Sequence, residues 1–582
     1  MTLFAKKPLV VALGGLIAIT AFSGCVQIEL NPTPIVENSS SIQIAKIGTY
    51  VTGLYDASAA EIVTFDKTTQ QAFVVNAQSG KIDILDASNP SAPSKRGEIT
   101  LANDISGAVG AANSVDFHDG LLAVAVENTT KTDNGWVAFY KVAEDSIRFI
   151  EAVSVGALPD MLTFTPNGKQ LVVALEGEPN NDYSVDPLGQ VAIIDITWDG
   201  TSLLSNTTEL DFSDFNEGAA RNGELPKALM VLDGLNATVA QSFEPEYVTV
   251  KADSSEAYVA LQENNAIAVI DLQSKRIERI IGLGFKDHSL AGKGLDASQK
   301  DGVNIQTWPV KGIYMPDTIT NYSVAGTTYL LTANEGDDRQ DWLENVTDQA
   351  TCEASGYFFD AKDNCVDAFS AKDYYANDNV TLSSGIADNG GFGGDNQLLR
   401  LKFSYHTTVA KNGGTAFNEL YAYGGRSFSI YNAETGEQVF DSGDDFEQMT
   451  AEIFGADFNN DNAENSGDDR SDNKGPEPEA LAIGQVGTQT YAFVGLERMG
   501  GIMVYNITDP ANSTFVQYFN DRDTSEDVQA SIEAGNAVDY GPEGIEFVAA
   551  QDSPNGKPML IVANEISGTT SFFAINEIFD AK

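Results

Sequence analysis

A two-strand unit recurs along this chain, and no other feature restricts its fold as tightly. The openings AEIVTF (60–65), ANSVDF (112–117), PDMLTF (159–164), PEYVTV (245–250), PDTITN (316–321), PEALAI (478–483) and PEGIEF (542–547) each lead into a second apolar strand. These second strands are AFVVNA (72–77), LAVAVE (122–127), LVVALE (171–176), YVALQ (258–262), LLTANE (330–335), FVGLE (493–497) and IVANE (561–565). A third often follows, as in KIDILDA, QVAIIDI and GIMVYNI. Short strands at this spacing, with Asp, Asn and Pro in the turns, read as repeated antiparallel sheets. A sheet apolar on both faces is unstable alone, whereas a ring of such sheets packed face to face buries both. The expected fold is all-β, a β-propeller of seven blades with long loop insertions. Eight blades stay open, because LYAYGGRSFSIYNAETGEQVF (420–440) also reads as blade strands with no identifiable first strand.

The repeat aligns charge as well as apolar residues. Before each first-strand core stand Glu61, Asn113, Asp160, Glu246, Asp317, Glu479 and Glu543; at the end of each second strand stand Ala77, Glu127, Glu176, Gln262, Glu335, Glu497 and Glu565. In an antiparallel hairpin these two positions share one edge of the sheet. With the first strand innermost, both columns ring one mouth of the central channel. Two residues before each second-strand acid lies a small residue, Ala125, Ala174, Ala260, Ala333, Gly495 or Ala563, with Val75 departing from the pattern. Side chains two apart share a face, so the acids sit at the rim of the packed face and need protonation, N–H donors, Arg or a cation as compensation. Two accounts fit. Each acid latches onto its neighbour's backbone, or a subset of Glu61, Glu127, Asp160, Glu176, Glu246, Asp317, Glu335, Glu479, Glu497, Glu543 and Glu565 binds Ca²⁺, a hard cation suited to oxygen ligands.

A second calcium candidate is DFNNDNAENSGDD (457–469), where Asp457, Asn459, Asp461, the Ala463 carbonyl, Asn465 and Asp468 fall at positions 1, 3, 5, 7, 9 and 12 of a calcium-loop register. Asn462 at the sixth position and Asp468 at the twelfth depart from the usual Gly and Glu. Sparse arginines keep company with acids: Arg339, Arg426, Arg470, Arg498 and Arg522. They either neutralise these acids or clamp an anion beside a metal. There is no G-x-S-x-G elbow, phosphate-binding Gly-rich loop or H-E-x-x-H helix, and with three histidines any catalysis would be metal-assisted.

The N-terminus reads as a lipoprotein signal over 1–24: Lys6 and Lys7, an apolar stretch from Leu9 to Phe22 too short to span a bilayer comfortably, then Ser23-Gly24-Cys25. Cys25 is the expected lipidation site, and 25–45 the lipidated tether to a propeller domain over 46–580 with insertions near 199–243, 340–396 and 443–476. Val26 after the Cys favours the outer membrane, so the expected location is an outer-membrane or cell-surface lipoprotein facing the exterior or the periplasm. The formal net charge of −50 excludes nucleic acid as a natural partner and favours divalent cations. Cys352 and Cys365 share one loop-like segment and are expected to pair, which by loop closure stabilises by about 3 kcal/mol.

The strings TANEGDDR (332–339), GGRSFSIYN (424–432), DDRSDNKGPEPEALAIG (468–484) and YAFVGLERMGGIMVYNITDP (491–510) together resemble the choice-of-anchor I family, over essentially the whole mature chain from Ile44 to Ile575. The resemblance implies an exported β-propeller held at the cell surface. Some relatives carry alkaline-phosphatase labels, and calcium-dependent propeller phytases are a more distant likeness. The leading expectation is a cation-dependent module that binds an extracellular small molecule, phosphate ester or surface ligand. The rival is a calcium-dependent phosphoesterase using Glu335, Asp337, Arg339, Glu479, Glu497 and Arg498; a third reading makes the acidic ring structural only.

Overall fold

Runs of β-branched and aromatic residues in each repeat pair with the next strand in sequence, because a turn of a few residues closes an antiparallel hairpin at little entropic cost. The computed structural model describes residues 41–579 apart from 233–236, 340–342, 344, 361, 373–380, 383–393, 395 and 414–415. Cys25 and the signal segment lie outside the described residues, as does part of the 340–396 insertion. The described residues hold seven four-stranded antiparallel sheets. Their first strands are Val63–Asp66, Val109–His118, Pro159–Phe164, Pro245–Val250, Ile319–Val324, Pro478–Val486 and Pro542–Val548. Each touches the next in order, and the seventh touches the first. This closed circuit of inner strands is a β-propeller.

The core is divided among the gaps between neighbouring sheets. Leu121 and Val137 of the second sheet meet Leu171 and Ala192 of the third, and Val172 and Ile193 on the third sheet's other face meet Val259 and Ala268 of the fourth. Each fully buried Val, Ile or Leu contributes about 1.5–3 kcal/mol, so the ring is held by many equivalent interfaces. The last sheet closes it. Ser41–Val51 pairs antiparallel with Thr569–Ile578 as that sheet's outermost strand, burying Ile42 and Ile44. The tether expected over 25–45 therefore ends before Ser41, where alternation in SIQIAKI becomes a strand edge.

One expected insertion and the candidate eighth blade differ from expectation because their strands complete sheets begun earlier in the chain. Leu203–Asp211 is the fourth strand of the third sheet, so the connection expected over 199–243 shrinks to the segment after it. The 420–440 stretch supplies no separate set of four strands. Ser427–Asn432 and Gln438–Asp441 are the third and fourth strands of the fifth sheet, cut off from the second strand, Thr327–Asn334, by the long insertion. Tyr421–Tyr423 instead joins Phe285–Asp287, Lys311–Ile313, Ala368–Ser370 and Lys402–Ser404 in a five-stranded mixed sheet. That sheet has its own core of Val310, Phe369, Leu401, Phe403 and Phe417. Cys352 and Cys365 are bridged, beside Leu343, Val346 and Tyr357.

Closure by the first strand predicts that a chain beginning at residue 52 melts lower than one beginning at residue 41. Loss of Ile42 and Ile44 burial and of one ladder should lower Tm by about 5 °C, read by circular dichroism.

Candidate metal centre

Proline opens four inner strands. Pro159, Pro245, Pro478 and Pro542 face the last residue of the second strand, Leu175, Leu261, Leu496 and Asn564 respectively. Proline has no N–H to continue the ladder, and the register slips at once. Asp160-Met161, Glu246-Tyr247 and Glu479-Ala480 each lie opposite a single residue, Ala174, Ala260 or Gly495, and Glu543 is the extra residue before Gly544 pairs with Ala563. These are β-bulges, which bend the strand and re-aim a side chain. The small-residue column is the wall opposite the bulge: a Cβ on Gly495 would stand 2.8 Å from that of Ala480.

The bulges gather the acids. Carboxylate oxygens of Asp317, Glu335 and Glu479 lie within 4.8 Å of one another, and so do those of Glu335, Glu477 and Glu497. Both expected columns meet here, since Asp317 and Glu479 begin first strands and Glu335 and Glu497 end second strands. Crowding in a narrow channel perturbs the carboxyls. Burial, opposed by Ser58, pushes Glu61 up to about 8; burial and Glu178 push Asp160 up to about 7; burial, opposed by Arg498, leaves Glu565 at about 7. Glu176, Glu246, Asp317, Glu479, Glu497 and Glu543 are raised well above the usual range by burial in the first place and by neighbouring carboxylates. Burial, then the fields of Asp317, Glu546, Asp160 and Glu543, raise the Tyr247 phenol. Glu127 accepts from the Ala111 N–H at 3.2 Å, a backbone contact of the architectural kind.

Compensation is concentrated on one side, though Lys131, 3.5 Å from Glu178, also opposes the rise of Asp160. Glu477, fully buried, accepts from Arg470 at 2.6 Å and Arg498 at 3.1 Å and pairs with the Lys474 ammonium at 3.1 Å. Burial alone would raise its carboxyl, but Lys474, Arg470 and Arg498 outweigh burial and bring it to about 2. Lys474 also donates to Glu335 Oε1 at 2.7 Å and lies 3.7 Å from the half-exposed Asp337, while Gln262 donates to Glu335 Oε2 at 2.9 Å. Arg498 reaches Glu497 at 3.1 Å and donates to Asn462 Oδ1 at 2.8 Å. The triad around Glu477 is thus neutralised by the protein. Around Asp317 and Glu479 no ammonium or guanidinium contact exists among the described residues beyond that of Lys474 with Glu335, and Glu479 Oε2 is buried without a hydrogen-bond donor.

The five singled-out arginines are engaged with protein groups. Arg339 pairs with Glu244 at 3.3 Å; Arg426 donates to Glu447 and to the Asp296, Ser471 and Asn473 carbonyls. Arg522 donates to Asn465 and to the Arg498, Asp461 and Glu464 carbonyls. In the 457–469 loop, Asp457 accepts from Thr524, Asn459 donates to Glu447 and Ser471, Asp461 caps Ala463 N–H, Asn465 donates to the Asp523 and Glu526 carbonyls, and Asp468 accepts from Ser471 and Gly302. The side chains that spacing places in a calcium register are engaged with protein groups. The loop serves the channel, because Asn462 donates to Glu497 at 2.8 Å.

Alignment of repeats missed Lys474, Glu477, Gln262 as a donor, and Tyr247. Glu477 lies one residue outside the aligned opening, and its φ of +50° is rare for a side chain of this kind; three cations hold it there. The acid directly before Pro478, repeated as Glu244 before Pro245, was the available signal.

The choice-of-anchor I domain matches residues 61–510. The chain belongs to the choice-of-anchor I family. Membership points to a cell-surface protein, and no helix among the described residues is long and apolar enough to cross a membrane. This choice-of-anchor I protein is 32% identical over 181 residues to Gigasin-3a of Magallana gigas, covering 30% of this chain and 64% of that protein. It is 28% identical over 338 residues to the mesenchyme-specific cell surface glycoprotein of Strongylocentrotus purpuratus, covering 54% of this chain and 42% of the relative. The chain thus spans less than two thirds of either curated relative. Among solved structures it is similar to the WD40 domain of Toxoplasma gondii coronin, at 7% identity and a TM-score of 0.42 over 93% of this chain and 90% of that one. It is also similar to the hydrazine synthase of Kuenenia stuttgartiensis, at 12% identity and a TM-score of 0.39 over 91% and 99%.

Two outcomes follow from the charge distribution. Glu477→Gln leaves Lys474, Arg470 and Arg498 around a neutral amide and should destabilise by about 3–5 kcal/mol in denaturant titration. In chelator, the raised carboxyls bind protons more tightly folded than unfolded, so stability should fall as pH rises from 4.5 through about 8. Glu477, held at about 2, supplies the opposite loss below pH 4.5. A chelated sample whose Tm rises steadily from pH 5 to pH 8 would contradict this.

Proposed function

We propose that this protein is a surface lipoprotein, anchored through Cys25, whose seven-bladed propeller binds an extracellular ligand through a divalent cation, Ca²⁺ in the first instance. The reading rests on one observation: Glu479 Oε2 is buried without a donor inside an all-oxygen cluster with Asp317 and Glu335. A hard cation matches that donor set and removes the desolvation and repulsion that raise Asp317 and Glu479. Asp317, Glu335 and Glu479 would hold it. When bound, it neutralises the mouth and offers a positive centre to an anionic or hydroxyl-bearing ligand.

A phosphoesterase needs cations free to bind phosphate. Arg339, Arg470 and Arg498 are turned to Glu244, Glu477 and Glu497. That engagement supports binding over hydrolysis.

Calcium in hundredfold excess over Kd should stabilise the wild type by about 2.7 kcal/mol, reversed by chelator and abolished in Glu479→Gln. Absence of a calcium-dependent shift in the wild type would refute the cation reading. Phosphate release from p-nitrophenyl phosphate that is calcium-dependent and lost in folded Glu497→Gln would replace it with the enzyme.

A further inference from the structure

The opposite ends of the inner strands carry a second site of different chemistry. Four residues separate Glu543 from Phe547 along one strand, about 13 Å at 3.3 Å per residue. At that far end a cavity of about 300 Å³ opens between the first, second and seventh sheets, lined by Phe65, Phe117, Glu546 and His118. Phe117 is fixed in place, stacking on buried Phe73 at 6.1 Å. Phe547, next to Glu546 along the strand, turns to the other face and stacks on buried Phe493 of the sixth sheet at 6.1 Å. Gly484 makes room for Phe547, since a Cβ there would stand 2.2 Å from its ring.

Glu546 differs from the other acids at this end. Asp66 accepts from Thr68 and Thr69; Asp116 accepts from the Phe117 and Phe164 N–H groups and from Thr163; Asp552 pairs with Lys67 at 3.2 Å; Asp119 lies 3.7 Å from His118. Glu546 has neither a hydrogen-bond donor nor a cation among the described residues, and burial together with Asp116 pushes its carboxyl up to about 8. A carboxylate without a counter-ion, set among aromatic rings in a concave site, is complementary to a positive charge carried on an apolar body.

We propose that this cavity binds a small alkylammonium ion, with Glu546 as its counter-ion and Phe65 and Phe117 as its aromatic wall. A hydrated metal ion suits it less, because the rings supply no oxygen ligands. The cavity lies at the other end of the inner strands from the carboxylate mouth.

Choline and its uncharged isostere 3,3-dimethylbutan-1-ol, titrated calorimetrically into the full chain in chelator near pH 8.5, where Glu546 is ionised, test this. Choline should bind saturably at one site, and the isostere about tenfold more weakly. Glu546→Gln should weaken choline about tenfold, while Glu479→Gln leaves it unchanged. Should Glu546→Gln fail to fold, Phe117→Leu keeps an apolar wall without the π face and should weaken choline several-fold. No saturable choline binding, equal binding of choline and the isostere, or retention of wild-type affinity in either folded cavity variant would overturn the proposal.

Discussion

Like charge held at close range on a shared axis is the constraint this molecule has to satisfy. A propeller brings the inner strand of every sheet to one channel, so any residue type repeated at the start of those strands is concentrated there. Here that residue is an acid, partly or wholly buried at the channel mouth. Repulsion and desolvation together keep Asp317, Glu479, Glu543 and Glu246 far from their ordinary ionisation. A cost of this kind persists in a fold only where the surrounding structure determines it or where a function uses it.

The device that creates the crowding is local. Proline at the head of a strand withholds one ladder bond, the bulge beside it admits an extra residue, and a small residue opposite leaves space for the bend. Relief is not distributed with the same symmetry. Lys474, Arg470 and Arg498 all converge on Glu477, which sits outside the repeat in a strained backbone conformation, so half the mouth is neutral and half is not. Sevenfold repetition builds the ring, and one irregular segment, 468–477, gives it a direction.

Repeated hairpins, the antiparallel pairing and the convergence of two acid columns were all legible, because strand periodicity and turn chemistry act over short separations. PEALAI and IVANE declare their edges without help from the rest of the chain. What escaped depended on partners far away in sequence. Ser41–Val51 reads as the end of a tether until Thr569–Ile578 is beside it. Ser427–Asn432 reads as an orphan until it is returned to Thr327–Asn334 across the insertion. The 457–469 loop matches a calcium register by spacing, and its hydrogen-bond partners Arg522, Ser471 and Thr524 come from elsewhere in the chain.

The sequence by itself determined the class of fold, the number of repeated openings and which residue types reach the axis, since each follows from local alternation and from the position of an acid relative to its own strand. Only the tertiary structure decided which of those acids are neutralised. That depends on Lys474 and Arg470 of the 468–477 segment meeting Arg498 and Gln262 from elsewhere in the chain, and an ion pair in a low-dielectric channel is set by distance and burial. Residue type fixes the sign of a charge; placement fixes whether anything answers it.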